Sequence, residues 1–105
     1  MLFCDFGTDT TGGVTRRVYP ATLDDLHDIA NALTMRGFVF VKTGANEPSM
    51  WETTEQGFVI HGYTDGGWRM ICLAPTEGLA VIVIEALDTM RPGLKVDYKI
   101  LDRPA

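Results

Sequence analysis

The stretch Gly57–Ala74, GFVIHGYTDGGWRMICLA, constrains the fold of this chain more than any other. Two β-rich runs, Phe58–Thr64 and Trp68–Leu73, flank Asp65-Gly66-Gly67. An Asp-Gly pair between such runs signals a hairpin, because a type I′ turn needs positive φ at both central positions. With Asp65-Gly66 as the turn, Tyr63 lies opposite Trp68, His61 opposite Met70 and Val59 opposite Cys72. Phe58, Ile60, Ile71 and Leu73 then share the other face, with Gly62 and Arg69 nearest the turn. A Gly66-Gly67 turn keeps this partition, whereas a three-residue loop slips one strand by a residue and inverts its faces. The two-residue loop is favoured because it collects the aliphatic side chains on one side. The other side, with Tyr63, Trp68, Met70 and His61, is amphipathic.

A second secure element follows Pro20-Ala21-Thr22. Thr22 suits an N-cap, and Asp24, Asp25 and Asp28 sit where the helix dipole favours negative charge. Leu26, Ile29, Ala30 and Leu33 follow helical spacing and form the expected buried stripe. Arg36 and Gly37 end the helix, so Thr22–Arg36 is predicted helical. Leu79–Met90, LAVIVIEALDTM, is ambiguous: its β-branched residues favour a strand. Its length, the Thr76 cap and the Pro92-Gly93 stop favour a buried helix, which is the reading adopted.

The remaining elements read as strands. Leu2–Phe6 and Val14–Tyr19 flank the turn-forming GTDTTGG. Phe38–Lys42 puts Phe38 and Phe40 on one face and Val39 and Val41 on the other, so both faces look covered. Met50–Thr54, which contains Trp51, leads through Gln56-Gly57 into the hairpin to make a three-stranded meander. Leu94–Leu101 closes the chain with Leu94, Val96, Tyr98 and Ile100 on one face. No repeat, linker or low-complexity tract is evident. The 105 residues therefore predict one α+β domain, residues 1–105, with an antiparallel sheet of about five to six strands, a central β-meander and two helices.

Composition narrows the function mainly by exclusion. The net charge of −5 argues against a phosphate-backbone binder, which needs a clustered basic surface. From Thr43 through Trp68 there are four carboxylates (Glu47, Glu52, Glu55, Asp65) and no Lys or Arg. Such a segment is either a solvated face or an acidic surface that docks on a basic partner. No apolar run reaches the roughly 18 to 20 residues a membrane helix needs, and MLFCDFG is not a secretory signal. A cytoplasmic setting with reduced Cys4 and Cys72 is expected.

Cys4, His27, His61 and Cys72 form no close-spaced ligand pair, so no metal and no cofactor are expected. Cys72 with His61 could form a cross-strand nucleophilic pair, though sheet packing explains both residues. Glu52 and Glu55 do not make a paired-carboxylate hydrolase site at their spacing. P-loop, dinucleotide-binding and nucleophile-elbow motifs are missing.

The segment Thr15–Leu33, TRRVYPATLDDLHDIANAL, resembles the opening strand, loop and helix of GCN5-related acetyltransferases. The resemblance implies a minimal acyl-CoA- or nucleotide-binding enzyme. The family's acetyl-CoA loop, of the form Gln/Arg-x-x-Gly-x-Gly/Ala before a helix, is not supplied by LAPTEGL or by the rest of the chain, and no functional residue is carried over. The leading expectation is instead a small acidic non-enzymatic protein-binding module, an inhibitor or adaptor of the kind encoded by phages and mobile elements. It would act on a basic, nucleic-acid-binding protein surface without touching nucleic acid or membrane itself. Its expected contact residues are Trp51, Glu52, Glu55, Tyr63, Asp65 and Trp68. A homodimer through the aromatic face, or a structural subunit that self-assembles through an open sheet edge, are the other expectations.

Overall fold

Asp65 and Gly66 adopt φ values of 50° and 83°, the positive pair a two-residue hairpin turn requires. The computed structural model describes residues 2–8, 13–45 and 56–102. The turn joins β4 (Gln56–Thr64) to β5 (Gly67–Ala74), and the pairs Tyr63–Trp68, Gly62–Arg69 and His61–Met70 form as the turn geometry predicts. Beyond them the register shifts. Ile60 pairs with Cys72 and Val59 with Leu73, leaving Ile71 as the extra residue of a β-bulge. Val59 is therefore not opposite Cys72. Cys72 joins Ile60 on one face, and Leu73 joins Val59 on the other.

The bulged Ile71 packs into the space beside Gly62. Ile71 occupies the room a side chain at Gly62 would need: a Cβ there would collide with the Ile71 Cδ1 methyl and sit 3.3 Å from Cγ1. Gly62→Ala is thus expected to cost about 1–3 kcal/mol by overpacking. Ile71→Val, which removes the colliding methyl, should recover part of that loss in the double variant. Urea melts of the two single variants and the double variant read this coupling directly.

Four further strands complete the sheet: β1 (Leu2–Gly7), β2 (Arg16–Pro20), β3 (Val39–Ala45) and β6 (Val96–Asp102). Its order is β3-β1-β2-β5-β4-β6, and every pairing is antiparallel. The α+β class is as the sequence implied. The meander differs, because β6 is the second neighbour of β4. The expected Met50–Thr54 strand lies outside the described residues.

Helix α1 (Leu23–Met35) is capped by Thr22, whose side chain accepts the Asp25 N–H, and is followed by Gly37 at φ 87°. Its buried stripe is Asp25, Leu26, Ile29, Ala32 and Leu33. Ala30, expected inside, is only half-buried, and Ala32 takes its place. Helix α2 (Glu77–Met90) resolves the ambiguous segment in favour of its caps: Thr76 accepts the Leu79 N–H and Gly93 turns at φ 94°. Its β-branched residues are tolerated because Ala80, Val83, Ala86 and Leu87 are buried and Leu79, Ile82 and Ile84 pack half-buried beside them. The two helices touch each other and share one core with Cys4, Phe6, Val18, Phe58, Ile60 and Cys72. They therefore cover the same face of the sheet. Strand β3, expected to be covered on both faces, is an edge strand with Phe40 45% and Val41 50% exposed.

The topology shows a repeat that the sequence conceals. β1-β2-α1-β3 and β4-β5-α2-β6 are the same strand-strand-helix-strand unit, and the sheet order of the second mirrors that of the first. Aligning the caps Thr22 and Thr76 sets Leu26, Ile29, Ala32 and Leu33 upon Ala80, Val83, Ala86 and Leu87, all buried. It also sets Tyr19 upon Leu73, and these two pair directly where β2 meets β5. A pseudo-two-fold axis through that pair relates the halves. In sequence, the trace is ALTMRG (Ala32–Gly37) against ALDTMRPG (Ala86–Gly93), interrupted by insertions that hide it.

Candidate functional site

With both helices on one face, the other face of the sheet is built, among the described residues, from strand residues. Near its centre Phe3, Tyr19, Val59 and Leu73 form a second, buried cluster. Toward the β4–β5 turn the character changes. Tyr63, Trp68 and Met70 are 41%, 53% and 39% exposed. The turn register aligns Met70 and Trp68 with His61 and Tyr63 on this side, and the bulge at Ile71 turns Cys72 to the other. The Tyr63 and Trp68 rings meet edge to face with centroids 5.5 Å apart, and the Lys95 ammonium lies 5.6 Å from the Tyr63 centroid. Such geometry holds both rings in place.

Beside Trp68 lies a recess of about 280 Å³ lined by His61, Trp68, Asp97 and Lys99. Register explains the assembly: His61 sits on β4 between Met70 of β5 and Asp97 of β6. The His61 Nδ1 is buried and has no hydrogen-bond partner. Asp97 Oδ1 accepts the Tyr98 N–H at 2.8 Å. Of the expected contact residues, Tyr63, Asp65 and Trp68 come together at this end of the sheet, all exposed. Trp51, Glu52 and Glu55 lie outside the described residues. Asp97 and Lys99 were missed. The alternation of β6 puts both opposite to Val96 and Tyr98, but the sequence does not reveal that β6 neighbours β4.

Charge divides between the layers. Neither helix contains a Lys or Arg, whereas Asp24, Asp28, Glu77, Glu85 and Asp88 lie along them. The arginine that caps the C-terminus of each helix reaches the other helix: Arg36 contacts Glu85 at 3.3 Å and Arg91 contacts Asp28 at 3.0 Å. Around the aromatic patch Asp65 and Asp97 are interspersed with Lys95 and Lys99.

The cysteines belong to the core. Cys72 faces the helices, away from His61, and its thiol donates to the Leu73 carbonyl at 3.4 Å, so the two cannot form a nucleophilic pair. Burial pushes the Cys72 thiol far above its ordinary value, and burial, with the Asp5 charge, raises Cys4 to about 11. Both stay protonated near neutrality and unreactive. Among the described residues no group of three or more His, Cys, Asp or Glu side chains is placed to hold a metal. Among the same residues no helix is long and apolar enough to cross a membrane.

Comparison with protein families, with characterised proteins and with solved structures gives no match. The stretch that resembles the acetyltransferase opening is β2, the Thr22 cap and α1. The same grammar recurs within this chain as β5, the Thr76 cap and α2. Local capping and patterning account for it.

Proposed function

We propose that the protein is a small non-enzymatic protein-binding module, an inhibitor or adaptor that docks a basic partner through the exposed, turn-proximal end of the sheet face opposite the helices. The observation that carries this reading is the exposed Tyr63–Trp68–Met70 patch on the side away from both helices. Aromatic residues and methionine suit an interface core, because they bury large area at modest entropic cost. The net charge of −5 supports a basic partner by steering its approach.

The mixed signs around the patch favour a second reading, a homodimer through the same face. A two-fold axis could set Asp97 or Asp65 of one copy against Lys99 or Lys95 of the other. Capture from an extract of the native host, run in parallel with wild type and Trp68→Ala, tests the first reading. A basic protein retained by the wild type, lost with the variant and released by added salt is the expected result. Retention that is indifferent to Trp68→Ala places the contact elsewhere and contradicts the proposal.

A further inference from the structure

The two halves of the chain treat equivalent positions on the face opposite the helices differently. In the first half Asp5 lies between Arg17 of β2 and Lys42 of β3. In the second, His61 lies between Met70 of β5 and Asp97 of β6. The pseudo-two-fold axis therefore sets Asp5 upon His61, Arg17 upon Met70 and Lys42 upon Asp97.

The first-half position is filled from within. Arg17 donates two hydrogen bonds to the Asp5 carboxylate, at 2.6 Å from Nε and 2.8 Å from Nη2. Its guanidinium carbon also lies 4.0 Å from the centroid of the Phe3 ring. A carboxylate and an aromatic face together hold a guanidinium plane. In the second half the equivalent positions carry no such pair, since His61 replaces Asp5 and Val59 replaces Phe3, but a ring and a carboxylate meet beside them from other positions. Trp68 supplies an exposed ring, Asp97 a carboxylate with Oδ1 on its own strand's N–H, and His61 a buried ring nitrogen with no partner. Met70, where the arginine would stand, offers no donor, and the recess of about 280 Å³ is wide enough for a side chain.

We infer that this recess receives an arginine side chain from the docked partner: the guanidinium stacks on Trp68 and donates to Asp97, beside the His61 ring. The inference rests on the docking reading above and names the residue chemistry the partner brings to it. N–H donors in a planar fork match a carboxylate beside a ring face better than an ammonium does. Lys99, which also lines the recess, and Lys95, beside the Tyr63 ring, oppose a cation there. Both are exposed to solvent, which screens their charge, so they weaken rather than prevent entry.

The probe is N-acetyl-arginine amide, titrated into isotopically labelled protein and followed by amide and indole resonances. Saturable shifts are expected at the Trp68 indole N–H and at the His61 and Asp97 amides. N-acetyl-lysine amide should bind several-fold more weakly. Asp97→Asn should weaken the arginine probe about tenfold, the loss of one charge-assisted contact. Lys99→Glu should tighten it. No saturable shift, a response unchanged in Asp97→Asn, or preferential binding of N-acetyl-glutamate amide at the same resonances would overturn the inference. Failure here alongside Trp68-dependent capture of a basic partner leaves the docking face standing; loss of both removes the docking reading as well.

Discussion

Leu26→Asp is expected to abolish cooperative folding or to cost several kcal/mol. Leu26 is 6% exposed on the sheet-facing stripe of α1, beside the fully buried Ile29 and Leu33. A carboxylate placed there loses its hydration with no compensating partner. Core substitutions of this kind occupy the extreme of measured destabilisations. The neighbouring exposed position provides the control, since His27→Asp changes charge on the same helix turn without entering the core. Circular dichroism and denaturant melts of both variants check the assignment. Equal stability in the two would mean that α1 presents a different face to the sheet.

The second large effect concerns Asp25, the one charged residue buried in the core layer among the described residues. Asp25 is 2% exposed and accepts from Arg69 at 2.7 and 3.0 Å and from the Thr22 hydroxyl at 2.8 Å. The arginine keeps 47% of its side chain in solvent, so the two partners are not equivalent. Arg69→Leu leaves a buried carboxylate without its counter-ion and is expected to cost about 2–4 kcal/mol. Asp25→Asn should cost less, because the freed arginine can turn to water. Burial works to raise the Asp25 carboxyl, but hydrogen bonds from Arg69 and Thr22 outweigh it and hold the value below the ordinary one. A carboxyl depressed on folding adds stability above its unfolded value, and that stability is lost as pH falls through the folded value. Wild-type stability should therefore drop below about pH 4, and the drop should be smaller in Arg69→Leu. Urea melts across that range measure both effects.

The pseudo-two-fold axis also explains an asymmetry. The counterpart of Arg69 is Arg16, and the counterpart of Asp25 on α2 is Leu79. Arg16 accordingly has no carboxylate there: its Nη1 is buried without a partner, and its guanidinium lies 6.0 Å from the Phe38 ring. The duplicated fold keeps one copy of an ion pair that its symmetry would permit twice.

Much of this architecture was legible in the residues because local chemistry determines it. The Asp65-Gly66 turn, the Thr22 and Thr76 caps and the Gly37 and Gly93 stops each solve a backbone problem that few residues can solve. What stayed hidden depends on contacts distant in sequence. The bulge at Ile71, whose side chain packs against Gly62, is something no alternation pattern expresses. The place of β6 beside β4 follows from the repeat, and the repeat survives in packing positions more than in identities. For the site, Tyr63, Asp65 and Trp68 were legible from the turn alone. Asp97 and Lys99 enter only through the strand order.

The most direct test of the central claim, that Trp68 is a contact residue and not a core residue, pairs two readings on Trp68→Ala. Denaturant melts should show a stability within about 1 kcal/mol of wild type, as for an exposed side chain. Sedimentation with the captured partner, or of the protein alone if it self-associates, should show the complex weakened at least tenfold. A variant that loses stability while associating as tightly as wild type would make Trp68 part of the folded core and contradict the account.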